Sequence, residues 1–147
     1  MNSCTFFGHK DCPPDIKPLL LHSIENLILE QHIFEFYVGH NGQFDILAID
    51  CLTELSKKYP TLKCAIVLSK LPTKNTFHFD LDTVYPEVID TAPARFAIDR
   101  RNTWMVAKSD VVIAYIKHSF GGAYKFVSLA KQKGKTVINL NKNFMII

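Results

Sequence analysis

The chain alternates short, continuously apolar runs with segments of helical period, and that alternation restricts its fold more than any other feature. Ser3–Phe7, Ile33–Val38, Leu62–Leu68, Asp110–Tyr115 and Thr136–Leu140 are strand-like. Between the first two, Asp15–Gln31 carries apolar residues at Ile16, Leu19, Leu20, Ile24, Leu27 and Ile28, the spacing of one helix face. Phe44–Lys58 repeats that spacing through Leu47, Ala48, Cys51, Leu52 and Leu55, and two further helices are predicted from Ala94 to Lys108 and over Gly122–Lys133. Leu62–Leu68 has no polar face, which suits a strand covered on both sides. Strands of this kind alternating with helices predict an α/β fold with a mostly parallel sheet between two helical layers. Only Leu71–Pro93 escapes the pattern: Pro72, Pro86 and Pro93 punctuate it, with room for one small edge element near Val84–Tyr85. Whether that segment lids a pocket stays open at this level.

The 147 residues fit a single domain, 1–147, long enough to bury a core. A net charge of +3 is too small for the basic stripe of a duplex binder and fits a local positive pocket better, so no nucleic-acid partner is expected. No stretch reaches transmembrane length and Met1–Thr5 lacks the basic start of a signal peptide, so a cytoplasmic protein with no membrane partner is expected. The four cysteines, Cys4, Cys12, Cys51 and Cys64, form no CxxC pair and are expected to stay reduced. His9 with Cys12 invites a metal reading, but no further ligands stand at zinc-like spacing and Pro13-Pro14 marks a turn. No metal and no cofactor is therefore expected.

Parallel sheets bind ligands outside the carboxyl ends of their strands. That rule selects the loops Gly8–Lys10, Gly39–Asp45, Ser69–Leu71 and Ile116–Lys125. Gly121-Gly122 opens a helix, where unpaired N–H groups face anions, and it reads either as a phosphate cradle or as a tight strand-to-helix turn. Arg100 and Arg101 lie on the preceding helix and point about 100° apart, so one of them at most faces the same ligand; Arg101 is preferred. Asn102 either orients a phosphate or ribose or caps a local turn. Gly39, Asn41 and Gly42 suit backbone contacts to a ligand, although Asn-Gly is also a strong turn dipeptide. Asp45 bonds a ribose hydroxyl or caps the helix beginning near Phe44. Lys125 sits in the first turn of its helix, where a cation is unfavourable unless an anion or solvent offsets it. Tyr124, in the glycine loop, is the favoured stacking residue, while Trp104 and Met105 suit a core or a subunit interface.

These loops in this order carry a resemblance. Thr5-Phe6-Phe7-Gly8-His9-Lys10, then Phe36-Tyr37-Val38-Gly39-His40-Asn41-Gly42-Gln43-Phe44-Asp45, then Arg100-Arg101-Asn102-Thr103-Trp104-Met105, then Gly121-Gly122-Ala123 resemble the SLOG superfamily, which joins the DprA/Smf and Lonely Guy proteins. The likeness spans nearly the whole chain and is strongest to the small YpsA-like bacterial and phage members. It implies a Rossmann-like three-layer sandwich and a nucleotide or nucleotide-derived ligand. Some Lonely Guy proteins cut the N-glycosidic bond of nucleoside monophosphates, whereas related SLOG domains sense cyclic ADP-ribose-type signals. The resemblance also implies a homo-oligomer paired through helices.

The catalytic pattern of the Lonely Guy enzymes has an arginine on the helix before a strand and a PGGxGTxxE loop after it. Arg101 falls on that arginine. Here, however, Ala123-Tyr124-Lys125-Phe126 follow the glycines with no GT step, Ser128 stands where the glutamate would, and Ile116–Phe120 lengthens the loop. N-glycosidic cleavage passes through an oxocarbenium-like state that a carboxylate stabilises while a base activates water. Without that glutamate, Asp45, Glu87 or Asp99 would have to substitute. The expectation is therefore a nucleotide-binding sensor or sequestering protein without catalysis, ahead of an N-glycosidase or nucleoside transferase and of a DprA-like nucleic-acid module.

Overall fold

The computed structural model describes residues 2–71 and 80–146. Six strands form one all-parallel sheet: β1 (Ser3–Gly8), β2 (Glu35–Val38), β3 (Lys63–Val67), β4 (Asp82–Val84), β5 (Val111–Tyr115) and β6 (Thr136–Asn139), in the order β4-β3-β2-β1-β5-β6. β4 is the short edge element of the proline-punctuated segment, aligned Ala65 to Asp82 and Val67 to Val84. Residues 72–79 of that segment lie outside the described residues. Four α-helices flank the sheet: α1 (Lys17–Gln31), α2 (Gln43–Lys58), α3 (Ala97–Lys108) and α4 (Gly122–Gln132). The result is a Rossmann-like three-layer sandwich. No helix among the described residues is long and apolar enough to cross a membrane.

The continuous apolar strands have a simple cause. Successive side chains leave a strand on opposite faces, so a sheet covered on both sides needs apolar residues at every position. Cys4 and Phe6 of β1, with Val111 and Ile113 of β5, join one core beneath α1 and α2 with Leu20, Ile24, Ala48 and Leu52. Phe7, Val112 and Ala114 turn the other way, into a second core with Met105 and Val106 of α3 and Phe126 and Val127 of α4. Trp104 belongs to this second layer, its ring edge-on to Tyr37 at 5.5 Å. All four cysteines are free and buried.

The helices begin and end where local chemistry directs. Pro14 opens a single 3-10 turn ahead of α1, and Pro93 precedes another, Ala94–Phe96, that leads into α3. α2 places Asp45 in its first turn and Lys57 and Lys58 in its last, both favourable to the helix dipole. Strand order reverses between β1 and β5: the chain moves outward from β1 through β2 to β4, then returns to the other side of β1. Such a switch point opens a crevice at the carboxyl ends of the two central strands.

Candidate functional site

A cavity of about 330 Å³ sits at that switch point, within the range of small-molecule sites. β1 ends in it with Gly8, His9, Lys10 and Asp11. The loop after β2 and the start of α2 add Asn41, Gly42 and Asp45, α3 adds Ile98, Arg101, Asn102 and Met105, and the loop after β5 adds His118, Gly121 and Gly122. A second cavity of about 650 Å³ adjoins it over the ends of β2 and β3 and shares Asn41 and Ile98 as a wall.

Arg101 dominates the electrostatics. It is 2% exposed, whereas Arg100, one step around the helix, is exposed. Its Nε and Nη2 donate to Asn102 Oδ1 at 3.1 and 3.0 Å, and its Nη1 donates to Asn41 Oδ1. Both acceptors are neutral amide oxygens, and among the described residues Arg101 forms no ion pair. Burial pulls its pKa down and the more distant Asp45 carboxylate pushes it back up; a guanidinium stays charged in either case. A buried charge is normally matched by an opposite one. Here a cation held by neutral partners lines a cavity, and that arrangement attracts an anion.

The start of α4 adds to this pull. Gly121 takes φ +92°, the left-handed region where a side chain would be strained, and no side chain caps the helix it begins. A Cβ at Gly121 or Gly122 would meet nothing within 4 Å, so the space before the first turn is open. The N–H groups of that turn and the helix dipole therefore face the cavity.

Two titratable groups share the cavity with the cation. Asp45, at the third position of α2, accepts the backbone N–H of Asn41 at 2.9 Å, a capping contact, while also lining the cavity. Burial raises its pKa, opposed by the Asn41 N–H and by Arg101. His9 is 7% exposed and its Nε2 is buried with no hydrogen-bond partner. Burial first, then the neighbouring His118, lowers its pKa, so it stays neutral at neutral pH.

Gly39, Tyr124 and Lys125 stand apart from the cavity lining. Gly39 lies behind Arg101, where a Cβ would come within 3.0 Å of the guanidinium carbon. Tyr124 is half-buried and packs against the second core, and Lys125 donates to Asp99 at 3.0 Å across α3 and α4. Gly8 answers to packing as well as to the cavity, because a Cβ there would stand 2.3 Å from the Phe44 ring. Of the three candidate carboxylates only Asp45 lines the cavity: Asp99 is held by Lys125, and Glu87 sits in a short turn after β4. Ser128 is part-buried on α4 and does not line the cavity.

Sequence reasoning passed over His118, Phe120 and Asp11. His118 stacks on His9, and Lys117 ion-pairs at 3.0 Å with Asp11, which lines the cavity. The unusual length of Ile116–Phe120 was the signal available for them. Among the described residues no three His, Cys, Asp or Glu side chains gather in a metal-holding group. No family model matches the chain, and no curated protein matches it.

Proposed function

We propose that this protein binds a nucleotide or an ADP-ribose-type, nucleotide-derived ligand in the switch-point cavity, as a sensor or sequestering protein without catalysis. The observation that carries this reading is Arg101: a buried cation with only neutral hydrogen-bond partners, in the same cavity as the uncapped start of α4. Arg101 supplies charge-assisted hydrogen bonds to a phosphate, and the first turn of α4 supplies backbone donors. Asn41, Asp45 and His9 surround them with groups suited to ribose hydroxyls. The resemblance of these loops to the SLOG superfamily, and to its YpsA-like members, supports the same ligand class. On this reading the protein works in the cytoplasm and pairs with a second copy through its helices, and light scattering tests the pairing.

Calorimetric titration against AMP, ADP-ribose and related nucleotides tests the proposal. At least one member of the panel binds, and Arg101→Met, with folding verified by its melting curve, loses that binding. A panel with no binder refutes it.

Asp45 favours a second reading. A half-buried carboxylate of raised pKa in the cavity is the group that an N-glycosidase needs in place of the missing glutamate. Water would add across the glycosidic C–N bond, releasing free base and a ribose phosphate. Chromatography of AMP after long incubation with concentrated protein separates the two readings: free base that disappears in Asp45→Asn identifies the enzyme, and intact AMP eliminates it.

A further inference from the structure

The lengthened loop after β5 builds a column of rings. His9, at the wall of the cavity, stacks on His118 with centroids 3.8 Å apart and planes 27° apart. His118 stacks in turn on Phe120 at 3.8 Å and 10°. The column runs from a buried residue to the surface: His9 is 7% exposed and Phe120 is 68% exposed. Phe120 is among the most exposed large apolar side chains of the described residues, and its outer ring face is free.

The exposure does not come from a slack loop. Asn139 holds Ile116 at both ends, accepting its N–H at 3.0 Å and donating to its carbonyl at 3.1 Å, while Asn141 donates to the same carbonyl. Lys117 is tied to Asp11, and His118 Nδ1 lies 3.1 Å from the Phe120 carbonyl, so that nitrogen carries the hydrogen. Phe120 is thus displayed by an anchored loop. It also directly precedes Gly121, the residue that begins α4.

We propose that Phe120 is the stacking platform for the base of the bound nucleotide. This rests on reading the cavity as a nucleotide site. Phe120 stands just outside the cavity lining, next in the chain to Gly121, so a ligand whose phosphate is held by Arg101 and the first turn of α4 reaches the ring by extending its base out of the cavity past His118. His9 supports the inner end of the column, its ring backing His118 from the cavity wall. Stacking needs only a flat π-face, so every base is accepted and purines, with the larger face, bind tighter than pyrimidines.

Calorimetry with AMP, UMP and ribose 5-phosphate on wild type, Phe120→Ala and Phe120→Trp tests this. The wild type binds AMP more tightly than UMP, and UMP more tightly than ribose 5-phosphate. Phe120→Ala, at an exposed position, keeps the wild-type melting temperature, loses affinity for AMP by about tenfold and leaves ribose 5-phosphate within about twofold. In Phe120→Trp, AMP quenches the added indole emission and ribose 5-phosphate does not. If ribose 5-phosphate binds and AMP binds no better, or if Phe120→Ala leaves AMP affinity unchanged, the platform is overturned while the anion site stands. If none of the three ligands binds the wild type, the platform falls, and the wider panel with ADP-ribose decides the nucleotide reading separately.

Discussion

The guanidinium of Arg101 lies flat against the backbone of Gly39: a Cβ added there would stand 3.0 Å from Cζ and 3.1 Å from both terminal nitrogens. Glycine at this position gives Arg101 the room to reach Asn41 and Asn102 together. The loop after β2 thus positions the cation from outside the cavity lining.

Gly39→Ala is expected to fold and to bind poorly. The methyl group displaces the far end of Arg101 by a few tenths of an ångström, enough to spoil hydrogen bonds whose strength depends on angle. Nucleotide affinity falls by about tenfold, the worth of roughly one charge-assisted bond. Calorimetry gives the affinity, and a melting curve separates the effect from unfolding.

Asn102 offers a sharper test because two substitutions separate stability from charge. Its Oδ1 accepts two N–H groups of a buried guanidinium, so Asn102→Ala leaves both without their acceptor and destabilises the fold by about 1–3 kcal/mol. Asn102→Asp instead places a carboxylate against Arg101. It restores the bonds and raises the melting temperature above that of the alanine variant, yet it neutralises the cation and removes nucleotide binding. An Asn102→Asp protein that still bound nucleotides at wild-type affinity would mean that the charge of Arg101 is not what the ligand meets.

Stability should fall on acidification through a histidine window. Burial and His118 hold the folded His9 below its ordinary 6.5, with Asp11 opposing the shift and Lys117 adding to it. Between the folded value and 6.5 the unfolded chain binds more protons, so stability rises with pH across that window and levels off above it. His40, lowered by burial and by Arg101, acts in the same direction. Melting temperatures measured in steps from pH 5 to pH 8 should climb and then flatten, and His9→Gln should reduce the slope without abolishing it.

The sheet was legible in the sequence because burial on both faces leaves a local mark: Val111–Tyr115 is apolar at every position and Leu62–Leu68 at every position but Lys63, the exposed first residue of β3, and β3 and β5 fall within them. The separation of Arg101 from Arg100 was legible for a similar reason, since helical phase is local. What could not be read were contacts made across the fold. Lys125 looked like a cation near a phosphate, but its partner is Asp99 on another helix. Gly39 looked like a ligand-contacting loop residue, but it serves the packing of Arg101, which arrives from the opposite layer. The His9–His118–Phe120 column joins two loops without periodicity, and Tyr124, the stacking residue favoured from sequence, is half-buried against the second core and outside the cavity lining.

The central claim is that an anionic group of the ligand sits between Arg101 and the first turn of α4, and amide NMR tests it most directly. In ¹⁵N-labelled protein titrated with AMP, the backbone amides of Gly122, Ala123 and Tyr124 and the Nε–H of Arg101 should shift together, saturating with one dissociation constant. Ribose 5-phosphate should move the same signals. Saturable binding that leaves these four resonances in place while shifting others would contradict the account.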